Sequence, residues 1–239
     1  MKSRLLILIP LIIALIIAIA VNLSEIQAFG SNLKERIESR TVRSVVTELV
    51  ESGKGLNEGE LEATSALTLI ALKEEEMLEV WGHDKDGEMT RIRSYPFTAT
   101  SGELGPKLKE GDYQIPEGIY RIEYLNPNSS YHLSMKLNYP NSFDRKKGKE
   151  DDRKGLGFDI FIHGRSVTIG CIAIGDEAIE DLFVIVSQVG VSKVNVILAP
   201  RDFRKNLPSP EIPGIDWEEE LYEEIRTEIL PFEVPESEE

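Results

Sequence analysis

The chain has 239 residues, 41% of them hydrophobic, which is enough for one large domain with a sizeable core and excludes a collagen-like or wholly disordered chain. Of its formal net charge of −15, most sits in Glu211–Glu239, where twelve acids meet one base, Arg226, and the preceding 210 residues carry only −4. Nucleic-acid binding is disfavoured, because phosphate contacts need a basic face. The one cysteine excludes an intramolecular disulfide.

At the N-terminus, Lys2 and Arg4 precede an apolar run from Leu5 to Val21. Its length suits a short membrane span, and the positive flank places the N-terminus in the cytoplasm and the body outside it. We read residues 1–21 as a retained anchor; Ala18-Ile19-Ala20 makes a cleaved signal peptide the alternative. Residues 22–61 read as a helical stalk or linker. Leu33, Ile37, Val42, Val45, Val46 and Leu49 predict an amphipathic helix over 32–50 that packs on the domain.

From Ser65 the pattern changes to strands. Ala66–Leu72, Met77–Trp81, Thr90–Thr100 and Gly118–Tyr124 are predicted strands, with turns at Asp84–Gly87 and at Asn126-Pro127-Asn128. Tyr131–Leu137 alternates, placing His132, Ser134 and Lys136 on one face; Phe158–His163 places Asp159, Phe161 and His163 together. The basic run Arg145-Lys146-Lys147, followed by acids, reads as a solvated loop. Ala178–Val189 predicts a helix with Asp176 as N-cap and Gly190 as its stop. A strand over Val194–Leu198 and an acidic helix over Asp216–Ile229 follow, with Trp217 read as core, and the tail Glu236–Glu239 as disordered. These elements predict a mainly β fold with short helices (α+β) and an antiparallel core.

The chemistry concentrates in Ile162-His163-Gly164-Arg165-Ser166-Val167-Thr168-Ile169-Gly170-Cys171. A strand delivers His163, a short loop follows, and the only thiol closes it. A free thiol needs a neighbouring base or cation to react at neutral pH, and His163 lies within reach across a tight loop. Gly164 and Gly170 would let backbone approach a substrate, with N–H groups near Cys171 as an oxyanion hole. The same pattern also fits a small buried cysteine beside a structural histidine, so spacing alone leaves both readings open. His132 is a candidate cleft residue, or else a surface histidine. Arg165 is a candidate for binding a substrate carboxylate, or else an ordinary loop arginine. His83, in a predicted hairpin turn, reads as solvent-facing. The histidine spacings give no support for a metal site, and no metal or cofactor is expected.

The stretch His163-Gly164…Thr168-Ile169-Gly170-Cys171 resembles the signature of the L,D-transpeptidase catalytic domain. Ser94-Tyr95-Pro96, Thr100-Ser101-Gly102 and Gln114–Tyr120 resemble that family's upstream motifs in the same order. Ile169 and Ala173 stand where the common form has a second His and an Arg. Ser101–Lys107 and Tyr124–Ser129 look like the divergent murein-transpeptidase-like branch. The resemblance implies a β-sandwich or barrel-like catalytic domain over 62–205, with 206–239 as an acidic C-terminal helix and tail. It implies Cys171 as nucleophile and His163 as base, Gly170 and Gly164 at the oxyanion loop, and Ser101, His132, Arg165 and Thr168 near the substrate. The implied partners are peptidoglycan stem peptides and, in that branch, an envelope lipoprotein, met on the periplasmic side of the inner membrane. Crosslinking transferase, hydrolase or amidase on the same scaffold, and a non-catalytic murein-binding module all stay open.

Overall fold

The computed structural model describes residues 40–232. The predicted anchor over 1–21, the stalk up to residue 39 and the tail over 236–239 lie outside them. Among the described residues no helix is long and apolar enough to cross a membrane.

Helix α1, Val42–Glu51, starts at Thr41, whose side chain accepts from the Ser44 N–H while Ser44 bonds back. That capping box stops the predicted helix from running through residues 40 and 41. Helix α2, Glu58–Ala63, follows with an Asn57 capping box. Then come β1 (Ala66–Leu72), β2 (Met77–His83), β3 (Met89–Pro96), β4 (Gly118–Ser129), β5 (His132–Leu137), α3 (Ser142–Glu150), β6 (Phe161–His163), β7 (Ile172–Ala173), α4 (Asp176–Val189), β8 (Val194–Ala199) and α5 (Glu218–Ile229).

The strands form one eight-stranded sheet in the order β3-β2-β1-β8-β4-β5-β6-β7. It is mixed, which corrects the expected antiparallel core: β1 runs parallel to β8, and β6 parallel to β7. The run Ala-Leu-Thr-Leu-Ile-Ala-Leu of β1 is apolar at nearly every position, as a strand buried on both faces requires. One face of β1 and β8 sends Leu67, Leu69, Ala71, Val194, Val196 and Leu198 into a core shared with Val45 and Leu49 of α1 and Ile179, Leu182, Phe183 and Val186 of α4. The opposite face sends Ile70, Leu72, Ile197 and Ala199 into a second core with Trp217, Leu221, Tyr222, Ile225 and Ile229 of the acidic helix. Helices therefore cover both sides of the central strands.

Several local expectations are corrected. Strand β4 runs on through Asn126-Pro127-Asn128 across a bulge, and the chain turns at Ser129–His132, where His132 takes φ +72°. A bulge tolerates proline because no ladder donor is needed there. Strand β3 ends at Pro96, short of Thr100, and β6 begins only at Phe161. The basic run is helix α3, not loop; the Lys147 stem is buried and its Nζ reaches Glu220 at 2.6 Å and Glu150 at 3.3 Å. His83 is only partly exposed: its Nε2 lies 2.8 Å from Thr68 Oγ1, and its ring meets Phe232 edge-on. Gly175, not Asp176, precedes helix α4.

A buried network anchors the long segment between β3 and β4. Lys73 Nζ donates to Gly105 O, Ile115 O and Glu117 Oε1. Glu117 also accepts from the Gly105 N–H and from Tyr222 of α5. Strand β1, this segment and the C-terminal helix thus share one fully satisfied ion pair, the condition under which buried charge is tolerated.

Candidate active site

Strand β6 carries His163 and β7 begins one residue after Cys171. The parallel register pairs Ile162 with Ile172 and His163 with Ala173, so Cys171 lies diagonal to His163 across adjacent strands. The connection between them spans only Gly164–Cys171, short for a parallel pair. It turns on Arg165 at φ +63° and Gly170 at φ +123°.

Thr168 closes this loop. Its hydroxyl accepts from the Cys171 N–H at 2.8 Å and donates to the Cys171 carbonyl at 2.8 Å. Thr168 is therefore a clamp on the backbone of Cys171, and its hydroxyl occupies the Cys171 N–H expected at the oxyanion hole. The Gly170 N–H bonds no group among the described residues. The two glycines are required by the protein itself. A Cβ on Gly170 would lie 3.0 Å from Gln114 O, and one on Gly164 would lie 2.6 Å from Asp176 Oδ1 and 2.9 Å from Tyr131 O.

The Cys171 sulfur is partly exposed. Its thiol donates to Asp159 O at 3.7 Å, and no hydrogen bond joins it to His163. Burial pushes the thiol above its ordinary range. The Phe161 N–H and the Lys107 ammonium work against that shift, and Asp159 adds to it. His163 is buried, and its Nδ1 lies 2.6 Å from Gly164 O. A carbonyl only accepts, so the proton sits on Nδ1 and Nε2 keeps its lone pair. Burial lowers the imidazole pKa, and the Gly164 bond partly offsets this. The Tyr131 ring packs on the imidazole, centroids 4.7 Å apart at 38°.

The other predicted residues disperse. His132 Nε2 meets Glu180 Oε1 of α4 at 2.7 Å and touches neither Cys171 nor His163. Its positive φ breaks the alternation that would have kept it beside Ser134. Arg165 is exposed; its N–H donates to Asp176 Oδ1 and its carbonyl accepts from Thr98, while its guanidinium makes no bond among the described residues. The Ser101 hydroxyl is buried without a hydrogen-bond partner, next to Gly102, which packs on Gln114. Ile169 is exposed and Ala173 fully buried, so neither supplies a cation at the site.

Residues not singled out in the sequence complete the surroundings. Lys136 Nζ bonds Asp159 Oδ1 at 3.0 Å and lies 3.6 Å from Glu123 Oε2. Lys107 is buried and held by Asp112 at 2.5 Å and Lys109 O at 3.0 Å. Tyr131, Phe158, Val167 and Ile169 are exposed apolar side chains on the segments that carry these groups. The signal for Lys136 was the strand alternation, which set it on the polar face of β5; Asp159 lies ahead of β6 with φ +55°, where alternation carries no information.

The family model of the L,D-transpeptidase catalytic domain (YkuD) matches residues 67–196, more than half of the chain. The chain belongs to the L,D-transpeptidase catalytic domain family. Within the L,D-transpeptidase family it is 36% identical over 122 residues to YafK of Escherichia coli strain K12, named as a provisional L,D-transpeptidase. YafK of Escherichia coli O157:H7 matches equally. The match takes in 50% of this chain and 46% of YafK, so the chain spans about half the length of these relatives. Among solved structures it is similar to the helical cell shape determining protein Pgp2 of Campylobacter jejuni, with TM-score 0.48 and 22% identity, covering 67% of this chain and 56% of that one. It is also similar to Bd1075 of Bdellovibrio bacteriovorus, with TM-score 0.41 and 24% identity, covering 59% and 49%.

Proposed function

We propose that this L,D-transpeptidase-family domain is a peptidoglycan-processing cysteine enzyme that forms a thioester with murein stem peptides. The observation that carries this reading is the arrangement of His163: Gly164 O fixes the proton on Nδ1, and the free Nε2 belongs to a residue diagonal to the sole, partly exposed thiol. A carbonyl here fills the orienting role that a carboxylate fills in other nucleophile–histidine pairs.

In the proposed reaction His163 Nε2 takes the Cys171 proton and the thiolate attacks the carbonyl carbon of the diamino acid in the stem. The carbonyl electron pair moves to oxygen, with the Gly170 N–H, one residue before the nucleophile, as the backbone donor. As the tetrahedral centre collapses, the C–N bond breaks and the leaving amine takes the proton from His163. The thioester is then resolved by an amine, giving a crosslink or a lipoprotein link, or by water, giving a free acid. For the first step the thiol turns from Asp159 O to the imidazole, a tightening that resting sites commonly require. Exposed apolar side chains on these segments, Tyr131, Phe158, Val167 and Ile169, suit the aliphatic stretches of the peptide. With Leu5–Val21 as an anchor, the domain works at the outer side of the inner membrane, where stem peptides are met.

Incubation with a carbapenem, followed by intact-mass measurement, tests the reading. Wild-type protein gains one adduct and Cys171→Ala gains none; an unmodified wild type overturns it in favour of a murein-binding module. Stem peptides supplied with a free amine acceptor then separate transfer from hydrolysis by the product formed.

A further inference from the structure

We propose that Asp176 positions the base His163 through a peptide group: its carboxylate holds the N–H of the Gly164–Arg165 peptide, whose C=O holds the imidazole. This rests on the cysteine-enzyme reading above and adds a positioning residue to that site.

Strand β6 ends at His163. The His163 carbonyl accepts from the Ile174 N–H at 3.0 Å, and the Gly164 N–H donates to Leu133 O at 3.2 Å, so that peptide is held by backbone on both sides. The next peptide is held by side chains instead. Its carbonyl, Gly164 O, takes the His163 Nδ1 proton at 2.6 Å. Its N–H, that of Arg165, donates to Asp176 Oδ1 at 2.7 Å. A trans peptide is planar, with C=O and N–H pointing opposite ways. One rigid plane therefore carries the imidazole on one edge and the carboxylate on the other. Both bonds are shorter than the ~2.9–3.0 Å usual for N–H···O.

Three features fit Asp176 to this task. Helix α4 begins after Gly175 with no side-chain cap, and the Asp176 carboxylate bonds Arg165 rather than its own helix. An acid in the first turn also complements the partial positive charge of the helix start. A Cβ on Gly164 would lie 2.6 Å from Asp176 Oδ1, so the missing side chain is what admits the carboxylate. Finally, Arg165 takes φ +63°, and Thr98 Oγ1 donates to its carbonyl at 2.6 Å, so the turn that presents this peptide is pinned at both ends.

Asp176 is exposed, and water screens its direct field at the imidazole. Its influence passes through the bonded peptide. A carboxylate on the N–H pushes amide electron density toward the oxygen, and linked hydrogen bonds polarise one another. Gly164 O becomes a stronger acceptor, most of all once Nε2 has taken the thiol proton and the ring is charged. The peptide is also kept from turning, which keeps the resting proton on Nδ1 and leaves Nε2 to the thiol.

The test uses the full chain, isotope-labelled at histidine, with two readouts. NMR follows the Nδ1 proton of His163, assigned by its loss in His163→Ala, and mass measurement follows the rate of Cys171 acylation by a carbapenem. Asp176→Asn keeps an oxygen for the Arg165 N–H and removes the charge. It is expected to move the resonance upfield and to slow acylation about tenfold at unchanged Tm, the scale of exchanging a charge-assisted for a neutral hydrogen bond. Asp176→Ala should slow acylation further, because the peptide can then turn. Glu177→Gln removes the same charge from the same exposed turn and should leave both readouts at wild type. A wild-type rate in Asp176→Asn, with or without a moved resonance, overturns the positioning role and leaves the enzyme reading intact. So does an equal effect of Glu177→Gln. A wild type that takes no adduct overturns the enzyme reading, and the resonance then judges the relay alone: an upfield move in Asp176→Asn but not in Glu177→Gln upholds it, and an unmoved resonance sinks it.

Discussion

At Cys171 and His163, burial acts on the two groups in opposite directions and leaves both neutral at rest. It raises the thiol, so the thiolate is disfavoured at neutral pH, and it lowers the imidazole, so the uncharged base is favoured. The sign follows directly: alkylation of Cys171 by iodoacetamide should keep accelerating as pH rises past the ordinary thiol pKa near 8.5. A rate already flat from pH 6 upward would mean a resting thiolate–imidazolium pair. Thr168 sets the second prediction. Thr168→Val removes two backbone bonds, each worth about 0.5–1.5 kcal/mol. The urea midpoint should fall by the equivalent of about 1–3 kcal/mol, and carbapenem acylation should slow, with Thr168→Ser recovering both. The sequence showed Thr168 within the motif but not its role, because the N–H and C=O of Cys171 face its hydroxyl only once the loop closes.

The β4–β5 hairpin shows how an element can be partly legible. Alternation along Tyr131–Leu137 sorted Ser134 and Lys136 onto the polar face, and the structure pairs Ser134 with His163 across β5 and β6. It misplaced His132, because a residue with positive φ leaves the pleat that alternation assumes. Tied to Glu180 of α4, His132 helps seat the hairpin so that Tyr131 covers the imidazole. Tyr131→Ala should therefore slow Cys171 acylation about tenfold with little change in Tm, whereas Tyr131→Phe, which keeps the ring, should match the wild type. The segment between β3 and β4 depends on Lys73 in the same way. Lys73→Met strands the Glu117 carboxylate in the core and should cost about 3–5 kcal/mol in chemical denaturation.

Across the whole molecule, the central strands hold two cores, and the acidic C-terminal helix covers one of them. Trp217, Leu221, Tyr222, Ile225 and Ile229 are buried against Ile70, Trp81, Ile197 and Phe203. Each large apolar side chain contributes about 1.5–3 kcal/mol when buried, and a domain's net stability is about 5–15 kcal/mol. A chain ending at residue 205 should therefore lose its cooperative thermal transition and near-UV circular dichroism. A sharp transition in that truncation would show the helix to be a separable appendage.

What the sequence by itself determined follows from local physics. Period-two and period-3.6 patterns placed most strands and both long helices, and the ordered motifs around His163 and Cys171 identified the family. These features depend on neighbours along the chain. The parallel pairing of β1 with β8 and of β6 with β7, the clamp of Thr168, the carbonyl that orients His163 and the ion pair of Lys136 with Asp159 were decided only in three dimensions. Each joins residues through backbone register or a reversed turn, and neither the direction in which two strands meet nor the free valence of a carbonyl leaves a mark in the order of side chains.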